Sequence, residues 1–164
     1  MGRGARLPYV ADNFYSFRTV WHLPGAPDDT YRVLARLVDY PSWWHEVKEV
    51  RARNADEYEL RVRSLLPYDL DFVSRQTRHD AEQRVLEASM TGDLEGFSRW
   101  TIEHAPGGTV AVFEEDVEAQ KEILRRLAPI ARPAFRANHT LMMRHGQRGL
   151  RVYLAGFRAR HGDD

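Results

Sequence analysis

The sequence predicts an α+β domain in which an antiparallel sheet of roughly six or seven strands bends around one long C-terminal helix. Three observations lead there. The C-terminal third carries a hydrophobic stripe at helical spacing that runs on from Pro129 and Pro133 through Ala134–Ala155. The residues before it alternate apolar and polar, strand after strand. A short helical insert near the start is the one interruption. A single helix set against so many strands covers only the concave side of a curved sheet and cannot fill the space beneath it, so a cavity is expected between the two.

Tyr15, Phe17, Thr19, Trp21 and Leu23 alternate with Ser16, Arg18, Val20 and His22, which makes a first strand with one buried face. Pro24-Gly25 turns the chain. At Pro27-Asp28-Asp29-Thr30 a helix starts, because proline suits the first helical position and carboxylates suit the positive end of the helix dipole. Its stripe of Tyr31, Leu34, Ala35 and Val38 ends at Tyr40-Pro41-Ser42-Trp43-Trp44, since proline disfavours the α conformation in the residue before it. A second short helical turn follows.

From Val47 onward the chain reads as strands joined by tight turns. Val50 and Ala52 lead to Asn54-Ala55-Asp56, and Tyr58, Leu60, Val62, Ser64 and Leu66 then oppose Glu59, Arg61 and Arg63, the clearest in/out alternation in the chain. Pro67-Tyr68-Asp69 turns. Leu70 and Phe72 open the next strand and Asp80-Ala81-Glu82-Gln83 closes it; Leu86, Ala88 and Met90 continue to Gly92-Asp93. Gly96, Ser98, Trp100 and Ile102 share one face, Pro106-Gly107-Gly108 makes a hairpin, and Ala111, Phe113, Glu115 and Val117 line the last strand.

In the final helix, residues placed at about 100° each with Phe135 as zero put Phe135, Asn138, His139, Met142, Gly146, Gly149, Leu150 and Tyr153 in one inward arc. Thr140, Arg144, Arg148 and Arg151 fall opposite. Pro133 removes a backbone donor and is expected to kink the helix or end a preceding segment, which makes Lys121–Ile130 a separate piece or a bent first part. The polar tail Gly156–Asp164 is expected to fray. The 164 residues read as one domain with its core over residues 14–155.

Composition excludes several function classes. Acidic and basic residues balance at 24 each, so no strong field attracts nucleic acid or an anionic membrane. The chain has no cysteine, which removes disulfides, thiolate nucleophiles and cysteine-ligated metals and fits a reducing compartment. Met1-Gly2-Arg3-Gly4-Ala5-Arg6 is followed by no apolar leader region, and Arg6 stands where a myristoylation signal needs Ser or Thr. A soluble cytoplasmic protein, monomer or homodimer, is the expectation, with no membrane insertion. His139 and His145 stand six apart, off one helix face, and no His-Glu-x-x-His occurs, so no metal is expected. Pro106-Gly107-Gly108-Thr109 lacks the lysine and the following helix of a phosphate loop, and no cofactor is expected.

The order of elements and a set of motifs give the chain a family resemblance. Ala26-Pro27-Asp28-Asp29-Thr30-Tyr31 through Asp39-Tyr40-Pro41-Ser42-Trp43-Trp44, then Gly92-Asp93-Leu94-Glu95-Gly96 with Trp100, come first. Leu127-Ala128-Pro129, Arg132-Pro133-Ala134-Phe135, Asn138-His139, Met143 and Gly149-Leu150 follow. In this order, over most of Tyr15–Leu154, they resemble the START-like (SRPBCC) superfamily, within it the polyketide cyclase/dehydrase-like and lipid-transport-like proteins. The resemblance implies a helix-grip fold: a seven-stranded antiparallel sheet around the long C-terminal helix, two short helices between strands one and two, and a deep apolar cavity. Members bind lipids, sterols, quinones, hormones and polyketides, and only some are catalysts, so the fold leaves the chemistry open.

The alternation points Phe17, Trp21, Tyr58, Leu60, Val62, Phe72, Leu86, Met90, Trp100, Ile102, Phe113, Phe135 and Met142 inward, as a ligand pocket or as simple core filling. Trp21, Tyr58, Phe72, Ser74, Trp100, Phe113, Asn138 and Met142 are the ligand-contact candidates. Polar residues on inward registers are Ser64, Ser74, Gln76, Ser98, Glu115, Asn138 and His139, and a buried polar group without a partner costs about 1–3 kcal/mol. Glu115 stands between Phe113 and Val117, where a desolvated carboxylate can serve as a general acid or base. The alternative is a strand-end salt bridge, or a bulge that turns it outward in the run Glu114-Glu115-Asp116. His139, about 40° from the stripe centre, can orient a ligand carbonyl or shuttle a proton, or cap a buried network at the helix–sheet seam. Trp43-Trp44 either gates the cavity mouth or packs as a plug.

The leading expectation is a binder of one hydrophobic small molecule, lipid, polyketide or quinone-like. The rival is an aromatase/cyclase acting on a poly-β-ketone. Cyclases of the resembling family are thought to use an interior arginine, whereas Arg18, Arg61, Arg63, Arg75 and Arg99 fall on outward registers and only Arg78 shares the inward face. Arg78 joins Glu115 and His139 as a catalytic candidate. A third reading is an interaction module that docks a partner through Trp43 and Trp44.

Overall fold

Seven strands carry the alternation into one antiparallel sheet. The computed structural model describes residues 13–161. β1 (Phe14–Leu23) is followed by α1 (Pro27–Leu34), a single 3-10 turn (Leu37–Asp39) and α2 (Tyr40–Trp43). Then come β2 (Val47–Ala52), β3 (Glu57–Val62), β4 (Leu70–Asp80), β5 (Val85–Gly92), β6 (Leu94–Ala105), β7 (Gly108–Ala119) and α3 (Glu122–His161). The sheet order is β1-β7-β6-β5-β4-β3-β2, so the first strand pairs with the last and the helical insert crosses from one sheet edge to the other. This is the helix-grip architecture. The readings of Met1–Arg6 and of the last tail residues fall outside the described residues.

Three expectations are corrected. β3 ends at Val62, so Ser64 and Leu66 sit in the connection to β4. Of the two alternatives for Lys121–Ile130 the separate piece is ruled out: from Glu122 on it forms the first part of α3, which is helical over 40 residues through Pro133. One missing donor in a long helix removes one ladder bond and leaves the rest in place. The same helix continues past Ala155 to His161, where a frayed tail was expected.

α3 buries Leu124, Ala128, Phe135, His139, Met143, Leu150 and Leu154, while Arg144, Arg148 and Arg151 are exposed. The buried stripe therefore centres about 40° round from Phe135, which brings His139 and Leu150 near its middle, takes in Met143 and Leu154, and moves Asn138 to its margin. Trp21, Leu34, Ile102, Met143, Leu150 and Leu154 are at most 1% exposed. Each such side chain contributes about 1.5–3 kcal/mol on burial. The apolar core forms two clusters, one around Trp21, Trp43, Trp44, Trp100 and Leu150, the other around Tyr15, Met90, Leu94, Val117 and Phe135. Among the described residues no helix is long and apolar enough to cross a membrane.

Candidate functional site

Between sheet and helix lie two adjoining hollows. The larger, about 130 Å³, is walled by Leu34, Leu37, Tyr40 and Trp44 from the helical insert, by Val47, Leu60, Phe72, Leu86, Met90, Trp100 and Phe113 from the sheet, and by Met142 and Met143 from α3. The smaller, about 80 Å³, lies towards the β3–β4 connection among Phe17, Leu66, Tyr68, Leu70, Leu94, Phe135, Asn138 and His139. Val62, Phe72, Glu115 and Met142 border both and form the partition.

A row of polar side chains crosses the apolar floor of the larger hollow. The cross-strand register places Gln76 opposite Ala88, Ala88 opposite Ser98, and Ser98 opposite Glu115. Ser74 lies one inward position away on β4. Among the described residues, the side chains of Ser74, Gln76 and Ser98 make no hydrogen bond to protein. Their donors and acceptors therefore remain available to whatever occupies the hollow. Ala88 presents only a methyl group at the middle of this row, which leaves the floor low there.

Glu115 is buried and faces inward, and no bulge turns it out. Its Oε2 lies 3.0 Å from His139 Nε2, with both side chains about nine-tenths buried. Phe17, directly opposite Glu115 in the β1–β7 ladder, stacks on the imidazole with ring centroids 3.7 Å apart and planes 10° from parallel. The ring is thus fixed by a hydrogen bond at one nitrogen and by an aromatic face. Beyond it, Asn138 Oδ1 accepts from Ser64 Oγ at 2.6 Å and from the Leu65 amide at 3.3 Å, tying the β3–β4 connection to α3. The Tyr68 hydroxyl, in the wall of the smaller hollow, is buried with no partner among the described residues, and burial pushes its pKa up to about 12, the neighbouring Tyr15 adding to the effect.

Of the ligand-contact candidates, Ser74, Trp100 and Phe113 line the larger hollow, Asn138 the smaller, and Phe72 and Met142 both. Trp21 and Tyr58 line neither. Trp21 is wedged between Trp44 and Trp100, with centroids 5.4 and 4.7 Å away. Tyr58 sits at the β2–β3 turn, its hydroxyl donating to the Ala55 carbonyl at 3.3 Å. Arg78 departs from simple alternation, because a bulge between Gln76 and Arg78 sets it opposite Glu87. It reaches the β4–β5 end of the larger hollow, where its guanidinium donates to Asp80 at 2.9 Å and Gln83 at 2.6 Å. On the outer face of the sheet, Arg99 pairs with Glu87 at 2.7 Å and with Glu114 at 3.7 Å.

Trp43 and Trp44 pack as a plug. Trp44 Nε1 donates to the Met142 carbonyl at 3.0 Å. A Cβ on Gly146 would stand 2.5 Å from Trp44 Cε2, and one on Gly149 would stand 1.7 Å from the Trp43 carbonyl oxygen, so glycine alone permits this approach. Both indoles are buried within the chain. Beside them the sequence reading missed a hydrogen-bonded pair: buried Glu46 bonds His145 Nδ1 on α3, and its Oε2 has no partner among the described residues. Glu46 stands in the short α2–β2 connection, where no periodicity marks a residue as inward. Tyr40, whose hydroxyl donates to the Leu34 carbonyl at 2.7 Å, is held well above the usual phenol range by burial. No cluster of three or more metal-ligating side chains occurs among the described residues.

Several known structures share this geometry. The protein TTHA0849 from Thermus thermophilus superposes with a TM-score of 0.75 at 16% identity, over 87% of this chain and 98% of that one. The Zhui aromatase/cyclase from a Streptomyces species gives 0.67 at 14% identity, over 92% and 97%. A START superfamily protein from Mycobacterium smegmatis gives 0.66 at 14% identity, over 88% and 98%. At these identities the likeness is one of fold. No curated protein matches significantly. The model of the family described as polyketide cyclase / dehydrase and lipid transport matches residues 15–153, and the chain belongs to that family.

Proposed function

We propose that this protein binds one hydrophobic small molecule, lipid, polyketide or quinone-like, in the space between sheet and α3, with the ligand's oxygen atoms set against the row Ser74, Gln76, Ser98 and Glu115. The observation that carries the reading is the pairing of apolar walls with the side chains of Ser74, Gln76 and Ser98, which have no protein partner among the described residues. Apolar burial supplies affinity at about 25 cal/mol per Å², and a few polar groups fix orientation. Native mass spectrometry of the protein incubated with lipids, quinones and aromatic polyketides tests it. A one-to-one adduct with one class is expected; no adduct with any class overturns the reading.

The Glu115–His139 pair favours a second reading, an aromatase/cyclase acting on a poly-β-ketone. A carboxylate that fixes an imidazole through Nε2 leaves Nδ1 for proton transfer, the arrangement general-base catalysis uses. Turnover of an acyl-carrier-linked polyketide, abolished in Glu115→Gln and in His139→Phe, supports it. Binding without turnover leaves the carrier reading alone standing.

A further inference from the structure

The size of the hollows limits what each can hold. A dry cavity of about 150 Å³ accepts one benzene ring. At about 130 Å³ the larger hollow takes a single ring, and at about 80 Å³ the smaller takes less. A ligand of two fused rings or more that stays inside the fold extends through the partition.

The partition is built unevenly. Val62 is β-branched and stiff. Glu115 is held by His139. Met142 combines a fixed main chain, its carbonyl accepting from Trp44 Nε1 at 3.0 Å, with a side chain of three rotatable bonds and no branch. Three rotatable bonds allow its thioether to turn without moving the helix. Behind it, a molecule entering the smaller hollow meets Glu115, His139 and the unpartnered Tyr68 hydroxyl.

We propose, resting on the binding reading above, that the two hollows are halves of one site joined through a Met142 gate, and that the ligand is an elongated molecule of at least two rings with a hydroxyl or carbonyl oxygen on the His139 side. Met142 is then a specificity-determining residue: with its side chain across the partition the site accepts one ring, and with it aside the site accepts two.

Methionine methyl groups report on this directly. Besides Met1, the chain has Met90 and Met143, which border the larger hollow alone, and Met142, which borders both. NMR spectra of protein labelled at the methionine methyls and histidine rings are compared on adding phenol or 2-naphthol. Phenol is expected to shift Met90, Met142 and Met143, which all border the larger hollow; 2-naphthol is expected to shift these together with His139, which borders the smaller hollow alone. Met142→Ala is expected to strengthen 2-naphthol binding at least tenfold relative to phenol, and Met142→Leu much less. Shifts at the methionines with 2-naphthol but none at His139 overturn the gate and leave the binding reading intact. Unchanged selectivity in Met142→Ala does the same. No shift at any methionine overturns both.

Discussion

α3 meets the rest of the molecule in two different ways. Around Gly146 and Gly149 it touches α2 so closely that no Cβ fits, and two indoles, a hydrogen bond to the Met142 carbonyl and the Glu46–His145 pair fill the seam. One to three turns earlier, around Phe135, Asn138, His139 and Met142, it stands over open space bordered by Ser74, Gln76, Ser98 and the Tyr68 hydroxyl, side chains without a partner among the described residues. Both stretches carry the same kind of inward stripe. The seam is where the helix is anchored, and the hollow is where the chain leaves room. Packing at close-packed density on one side lets the other remain unfilled, because the helix needs no support from the hollow's contents.

Substitutions break this comparison in a definite order. Trp44→Ala removes an indole from the seam together with its hydrogen bond, and is expected to cost about 3–5 kcal/mol in urea unfolding. A cost under about 1 kcal/mol, the level of an ordinary surface change, would show that the seam does not anchor the helix. Gly149→Ala drives a methyl group against the Trp43 backbone and is expected to cost at least the usual ~1–3 kcal/mol of overpacking. A neutral result would mean that α2 lifts freely off α3.

The smallest effect is on alkaline stability and comes from the hollow. The folded Tyr68 phenol ionises at about 12 against an ordinary 10.0, so the unfolded chain loses this proton first. Stability owed to that difference is whole below about pH 10 and lost as pH rises through 12. Burial of Tyr40 acts in the same direction. Tyr68→Phe is expected to flatten part of the decline between about pH 10 and 12 and to leave neutral stability nearly unchanged. An unaltered alkaline profile would mean that Tyr68 ionises as freely folded as unfolded.

What was legible in the sequence follows the same division. Alternation located every strand, and it placed Glu115 and Ser98 inward, because one buried face per strand leaves the register little freedom. It did not tell depth. Trp21 and Trp100 face the same way, yet Trp21 lies opposite α2 and is packed solid, while Trp100 borders the hollow. Tyr58 faces in at a strand end where the sheet has already opened to solvent. Arg78 was placed on the inward face and does reach the end of the hollow, but a bulge, an extra residue no periodicity announces, sets it opposite Glu87. His139 was recognised as inward, but its pairing with Glu115 joins residues 24 apart in the chain and depends on how far the helix stripe is rotated. Glu46 and Tyr68 stand in connections, where neither period applies. The glycines at 146 and 149 were read as part of the inward face, and their role as a seat for two tryptophans required the crossing of α2 over α3.

The central claim, that the interior is left open for a ligand, is tested most directly by combining unfolding and native mass spectrometry on one variant, Ala88→Leu, which places a larger apolar side chain on the low point of the hollow's floor. If the space is a ligand site, the variant gains about 0.5–2 kcal/mol, as cavity filling does, and loses the adduct formed by the parent protein. A variant destabilised by the ~1–3 kcal/mol of an overpacked core, or one that still carries the same adduct, would contradict the account.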